Sequence, residues 1–397
     1  MRVRVGVALL LVVVAAAAVN YLRPIPSVAP VHLLKATGVV PGDAPSLPWP
    51  ARGSAAVGVA GLGFIATSGN ERAIPAASVT KVMTAMVLLT DKPLSQGQSG
   101  PTVTLTDADV QSYESDLAQK QSTARVEAGE QLTERQLLQG MLIPSANNLA
   151  ETAARWDAGS IASFVAKMNA RATSLGMTHT KFADVSGASA LSVSTPSDLL
   201  VLGMEAMKNQ AFAEIVAMPQ ADLPVAGTVY NVDGVLGESG IIGVKTGSGL
   251  DAGANFLFAA TATIDGREIT LHGCVMGQPT LDAAFAAAKR LIAAMTANLH
   301  VRRVISRNES IARYTTPWGN VSDLVSSADV DLVEWPGMVF RQRLDAKSLT
   351  VEEPVPVSTV EGSEHVVLGD YDLDVPLVTA DPLYPPGRVW RLTRVAF

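Results

Sequence analysis

Ser78-Val79-Thr80-Lys81 sets a hydroxyl and an amine three positions apart, a spacing that on a helix puts both side chains on one face. A serine hydroxyl is a poor nucleophile at neutral pH, and a base within hydrogen-bond reach must take its proton as it attacks an amide or ester carbonyl. Lys81 can be that base if its amine is neutral. The surrounding stretch VTKVMTAMVLL is apolar on nearly every side, so the helix is expected to be buried, and burial disfavours the charged amine. Ser78 is expected at the helix start, where free N–H groups stabilise a developing oxyanion. Two further runs carry complementary groups. Ser145-Ala146-Asn147 supplies a hydroxyl to pass a proton to a leaving amine and an amide to grip a peptide backbone. Lys245-Thr246-Gly247, with Ser248 after it, supplies a second cation that lowers Lys81 further, and main-chain donors on an expected strand edge. In this reading Ser78, Lys81, Ser145 and Asn147 are catalytic, and Lys245, Thr246, Gly247 and Ser248 bind substrate. The Ser78 and Ser248 N–H groups form an oxyanion hole, and Thr246 with Lys245 holds a terminal carboxylate.

Each run alone has a plainer explanation. Ser78 can be an ordinary N-cap, Lys81 can snorkel to the surface, Ser145 can break the turn at Pro144, and Lys245-Thr246-Gly247 can be a solvated turn. Ser-x-Asn recurs at Ser68-Gly69-Asn70 and Ser306-Arg307-Asn308 and carries little by itself. Ser-x-x-Lys and Lys-Thr-Gly each occur once. Their order and separation carry the argument: Ser145 lies 67 positions after Ser78, and Lys245 a further 100 on.

The elements that must position these groups are those of an α+β domain from about Ala51 to Leu299. A glycine-spaced strand, AAVGVAGLGFIAT, opens it. Thr133 with Gln136 makes a capping box before QLLQGML, and Thr195-Pro196 with Asp198 opens another helix. Ile161, Phe164, Val165, Met168, Ala172 and Leu175 recur at helical spacing between Ser160 and Gly176, which predicts an amphipathic helix whose apolar stripe is core. ANFLFAATAT and REITLHGCVMG flank Asp265-Gly266 as an antiparallel hairpin, and a long helix, roughly Leu281 to Leu299, closes the domain. From residue 300 to 397, short alternating runs broken by Pro-Trp-Gly and Pro-Gly turns predict a small all-β module.

The compartment is read from the N-terminus. Arg2 and Arg4 precede the apolar run Val5–Val19, so residues 1–22 are a signal peptide or a membrane anchor, and the chain is exported. Residues 23–50 carry seven prolines and read as an extended spacer. With 30 Lys+Arg against 37 Asp+Glu and no run of like charge, a nucleic-acid partner is excluded. The lone Cys274, in an apolar strand-like run, reads as a small buried hydrophobe. His32, His179, His272, His300 and His365 lack metal spacing and read as structural; the chemistry calls for no metal or cofactor.

The ordered triplet resembles that of the low-molecular-mass penicillin-binding proteins, the serine D-alanyl-D-alanine carboxypeptidases. ASVTKVMTAMVLL, QLLQGMLIPSANNLAE, FVAKMNARATSLGMTHTKF, NVDGVLGESGIIGVKTG and AGANFLFAAT look like segments of that family, and PWG, WPGM and DVPLVTADPL are similar to its trailing β-sandwich. The resemblance implies a penicilloyl-serine transferase fold and an acyl-enzyme on Ser78. It also implies action on peptidoglycan stem peptides outside the cytoplasm, with β-lactams as covalent inhibitors. Asn148 stands where such proteins usually carry aspartate, DVSGASAL replaces a more asparagine-rich turn, and the run VWRLTRVAF lacks the family's amphipathic anchor, which leaves membrane attachment to the N-terminus. A class A β-lactamase shares two motifs but needs a glutamate after the second, and none lies between Glu151 and Glu205. A DD-endopeptidase or transpeptidase with the same site, and a penicillin-binding sensor without turnover, remain alternatives.

Overall fold

The apolar N-terminal run forms one helix, α1 (Arg2–Leu22), and its window Val5–Leu22 has a mean hydropathy of 2.5 with none of it buried inside the protein. The computed structural model describes residues 2–69 and 71–394. Met1, Asn70, residues 395–397 and the side chains of residues 2–4 lie outside the described residues. The charges of Arg2 and Arg4, the asparagine of the Ser68 triplet and the end of VWRLTRVAF fall there.

The chain forms two units: the residues up to Ala44 together with those from Val301 onward, and Pro45–His300. In the first, a seven-stranded antiparallel sheet runs in the order Val31–His32, Ser310–Thr315, Val321–Ser326, Tyr371–Thr379, Val360–Leu368, Val339–Ala346, Thr37–Val39. The expected spacer is therefore extended but paired: Val31 stands opposite Arg313, and Val39 opposite Val339. Proline composition signals an extended backbone and says nothing about a partner strand far along the chain.

In the second unit a five-stranded sheet is built from β1 (Ser54–Val59), β2 (Gly63–Thr67), β3 (Ile241–Gly249), β4 (Gly253–Ile264) and β5 (Arg267–Gln278), in the order β3-β4-β5-β1-β2. β3 is thus an edge strand. The hairpin β4–β5 turns at Asp265-Gly266, where both residues have positive φ (47° and 82°), as a two-residue turn matched to strand twist requires. Adjacent β4 residues face opposite sides of the sheet. Phe256 meets Phe285 of α9 (Leu281–Asn298) edge-on at 4.9 Å, and Leu257 lies against Gly203 of α7 (Pro196–Ala206), so helices cover both faces.

The remaining helices of this unit enclose α2 (Thr80–Asp91), in which every residue from Thr80 to Leu89 is buried. They are α3 (Asp107–Ala118), α4 (Glu134–Leu142), α5 (Asn147–Ala158), α6 (Ile161–Ser174) and α8 (Gln210–Val216). α6 starts at the Ser160 cap and buries Phe164, Met168 and Ala172, as its spacing predicts. Thr195 caps α7. Cys274 is fully buried, and burial pushes its thiol far up, which makes it inert.

At the start of α4, Thr133 Oγ1 accepts from Gln136 N (3.2 Å) while Thr133 N donates to Gln136 Oε1 (3.0 Å). Thr133→Ala is expected to destabilise the protein by about 1 kcal/mol, read as a lower urea midpoint with penicillin labelling retained.

Candidate active site

A 3-10 turn, Ala77–Val79, leads into α2 and carries the half-buried Ser78 at the helix start. One turn on, Lys81 is fully buried, and its Nζ lies 3.0 Å from Ser78 Oγ, 2.6 Å from Asn147 Oδ1 and 2.9 Å from the Ser186 carbonyl. Asn147 Oδ1 and the Ser186 carbonyl only accept. A neutral amine has two N–H donors for those two oxygens and one lone pair left, which faces the one partner able to donate, the Ser78 hydroxyl. Burial, and then the Lys245 charge, hold the Lys81 amine well below the usual lysine range, against the opposing pull of Asp184 and Asp116.

Asn147 opens α5 and its Nδ2 donates to Gln121 Oε1 (3.3 Å). Ser145 is almost completely buried, lines the cleft, has a left-handed backbone (φ 67°), and its Oγ has no hydrogen-bond partner among the described residues. A buried hydroxyl left unpaired beside a cleft is a group held ready for a ligand atom. Ala77, just before Ser78, is also left-handed (φ 50°). For non-glycine residues such a conformation costs roughly 1–2 kcal/mol.

Lys245, Thr246, Gly247 and Ser248 lie on β3, and the last three line the cleft. A Cβ at Gly247 would stand 2.9 Å from Ala76 O and 3.1 Å from Ser78 N, so glycine lets the strand edge approach the Ser78 turn this closely. Lys245 lies on the expected strand edge but is buried. It is 2 % exposed, is not among the residues that line the cleft, and donates to the Thr246 carbonyl (3.1 Å). Burial pulls its amine down to about 7, opposed by Asp233. Asp233, itself buried, is pushed up to about 6.

Sequence reasoning missed the groups that hold these residues in place. Asn255 of β4 donates to Pro75 O (3.0 Å) and Ala76 O (3.1 Å) and accepts from Gly277 N (2.9 Å), pinning the chain that enters the Ser78 turn. Asp184 Oδ2 accepts from the N–H groups of Ser186, Gly187 and Ala188, and its Oδ1 from Ser192 Oγ, which folds the loop that presents the Ser186 carbonyl to Lys81. Thr84 Oγ1 ties the same loop to α2 through Val185 O (2.6 Å). Gly187 (φ 81°) underlies the Ala77–Val79 turn, since a Cβ there would meet Ala77 O at 1.8 Å. The only available signal was the cluster of Ser, Gly and Asp in DVSGAS, which marks a turn without naming its target.

The cleft itself, about 530 Å³, runs between the Gln119–Ser122 segment and Ser145 on one side and Thr246–Ala252 on the other, with Gly187–Ala190 beside it. Its wall includes the edge strand β3, with which an extended peptide can pair. Asn148 faces away from it. Its Oδ1 accepts from Ala124 N (3.1 Å) and its Nδ2 donates to Ala124 O (2.9 Å), so this departure from the family pattern serves packing.

Two outcomes follow from this geometry. Asn148→Asp puts a carboxylate against the Ala124 carbonyl and removes a donor, and is expected to lower stability by about 1–3 kcal/mol, measured by urea unfolding. Lys245 has a folded pKa depressed from 10.5 to about 7, so between those values the unfolded chain binds more protons and stability rises with pH. Lys245→Met is expected to flatten that rise between pH 7 and 9; an equal rise in both proteins would mean that the amine is not depressed.

A family model described as D-alanyl-D-alanine carboxypeptidase matches residues 62–280. The D-alanyl-D-alanine carboxypeptidase of Streptomyces sp. strain K15 is 34% identical over 203 residues, 46% of this chain and 67% of that protein. The carboxypeptidase DacB2 of Mycobacterium tuberculosis is 35% identical over 217 residues, 52% of this chain and 69% of that protein. Penicillin binding protein 5 from Haemophilus influenzae has the same fold, with a TM-score of 0.63 at 19% identity over 86% of this chain and 100% of that one. With more than half of its length matched, the chain belongs to the D-alanyl-D-alanine carboxypeptidase family, and it is an α+β serine hydrolase of that family.

Proposed function

We propose that the enzyme removes the terminal D-alanine from peptidoglycan stem pentapeptides through an acyl-enzyme on Ser78. The observation that carries this reading is the approach of Lys81 Nζ to Ser78 Oγ at 3.0 Å, with the other two partners of the amine unable to donate. Lys81 takes the Ser78 proton as Oγ attacks the penultimate carbonyl, and the Ser78 and Ser248 N–H groups stabilise the oxyanion. The C–N bond then breaks as Ser145 hands its proton to the departing D-alanine and takes in its place the proton that Lys81 received, which leaves the amine neutral again. Water, activated by the same lysine, hydrolyses the ester. Asn147 and the β3 edge align the peptide, while Thr246, with the Lys245 charge behind it, holds the terminal carboxylate.

The absence of a free carboxylate from the loop after the second motif supports peptide hydrolysis over β-lactamase turnover. Asp184, the loop's acid, is saturated by backbone and serine donors. β-Lactams enter this reading as mimics that stop at the acyl stage. Export supports it too: the apolar α1 is long enough to cross a membrane, and the substrate lies outside the cytoplasm. Pro45–His300 is read as the catalytic unit and the sheet built from the two chain ends as an accessory unit.

Intact mass spectrometry after penicillin treatment is expected to show one adduct on Ser78. Ser78→Ala abolishes it, and Lys81→Ala slows its formation by roughly two to four orders of magnitude. Labelling that survives Ser78→Ala places the nucleophile elsewhere. Release of D-alanine from a pentapeptide, with a cross-linked dimer left intact, separates the carboxypeptidase from an endopeptidase.

A further inference from the structure

The cleft is sorted by charge as well as by shape. Among the described residues that line it, one carries a cationic side chain, Lys120, and one an anionic side chain, Asp251. They stand on opposite walls, Lys120 in the Gln119–Ser122 segment and Asp251 in the Thr246–Ala252 segment. Both are exposed, and neither side chain has a hydrogen bond or ion pair to another described residue. Polar groups that fix a ligand's orientation in a pocket are of this kind, few in number and free to pair with it.

Both charges are carried on firm backbone. Lys120 has a left-handed φ of 57°, and the next two residues are tied in: Gln121 N donates to Asp116 O (2.9 Å), and Ser122 O accepts from Asn147 N (2.8 Å). Asp251 sits at the tip of the β3–β4 hairpin, where Gly249 pairs with Gly253 and leaves a loop of Leu250, Asp251 and Ala252. Gly253 (φ 63°) fixes the returning strand, since a Cβ there would stand 2.6 Å from Gln278 O of β5, and Ala252 is buried. Leu250, beside Asp251, is fully exposed and also lines the cleft.

The direction of the peptide follows from the carboxypeptidase reading, on which this inference rests. With the terminal carboxylate at Thr246 and the attacked carbonyl between the Ser78 and Ser248 N–H groups, the peptide runs antiparallel to β3. Its upstream residues advance by about 3.3 Å each past Ser248, towards Gly249 and the hairpin tip. The residue before the acyl D-alanine is therefore level with Leu250 and Asp251. An aliphatic tip next to a carboxylate is complementary to methylenes that end in an ammonium. Lys120 on the far wall repels such an ammonium and leaves Asp251 as its place in the cleft.

We propose that Leu250 and Asp251 form a specificity subsite for the residue preceding the acyl D-alanine, selecting an aliphatic side chain that ends in a primary ammonium. The test measures D-alanine release by full-length protein in detergent from two tripeptides. One is Nα-acetyl-L-lysyl-D-alanyl-D-alanine, whose ε-ammonium is free; the other is its Nα,Nε-diacetyl counterpart, whose side chain is neutral. The free ammonium is expected to raise kcat/KM about fivefold, the strength of a partly exposed ion pair, and the preference shrinks in about 1 M salt. Asp251→Asn should bring the ratio to about one, Asp251→Lys should reverse it, and Asp251→Glu should keep it. Each ratio is taken within one protein, so a smaller folded fraction cancels. Equal rates on both peptides in the unsubstituted protein, or a preference that survives Asp251→Asn, overturns the subsite and leaves the carboxypeptidase reading standing. An Asp251→Asn protein that turns over neither peptide makes the residue structural and overturns the subsite too. Release of D-alanine from neither peptide by the unsubstituted protein, with Ser78 still labelled by penicillin, overturns the carboxypeptidase reading and the subsite with it.

Discussion

Two lysine amines in this protein have no access to water, and much of the catalytic unit is arranged around that constraint. Carrying an ammonium into a low-dielectric interior costs several kcal/mol after relaxation, and the usual escape is to lose the proton. The escape is useful here, because a neutral Lys81 is a base. Its environment disfavours the charge without leaving the amine unsatisfied: two acceptor oxygens, from Asn147 and Ser186, take its hydrogens, and the all-buried α2 excludes solvent. Asp184, which would otherwise pair with the amine and hold its proton, is occupied by three backbone N–H groups and two hydroxyls. Its carboxylate shapes a loop, and its pull on Lys81 is outweighed by burial and by Lys245.

The same constraint explains the strained backbone. Ser78 must stand at the mouth of a buried helix and still reach a buried amine, and the turn that achieves this leaves Ala77 left-handed. Gly187 gives the room beneath it, Gly247 the room beside it, and Asn255 holds the strand that leads in. Unfavourable torsions persist only where neighbours over-determine them. Ser145, left-handed as well, owes its position to the tight passage from Pro144 into α5.

What was legible in the sequence was local or ordered. The three-residue step from Ser78 to Lys81, the caps at Thr133, Ser160 and Thr195, and the Asp265-Gly266 turn act over a few residues, and the chain's own periodicity states them. The order of the three motifs was legible too, because each is short and fixed in chemistry. Lys245 was recognised as a cation on a strand edge, while its burial and its bond to the Thr246 carbonyl were not legible, since they depend on what packs behind the strand. Asn255, Asp184 and Asp233 were invisible because each works on backbone or charge distant in the chain and looks, residue by residue, like any polar group in a strand or turn. The pairing of Val31 and Val39 was hidden for the same reason: their partners lie some three hundred residues away.

That pairing carries a consequence for biogenesis. The sheet takes its two outermost strands from before Pro45 and its other five from after His300, so the catalytic unit interrupts the segment that closes the sheet. As the polypeptide is made, N-terminus first, Val31–His32 and Thr37–Val39 have no partner strands until the residues after His300 follow. Such delayed closure leaves two edge strands open to mispairing until the last five strands arrive.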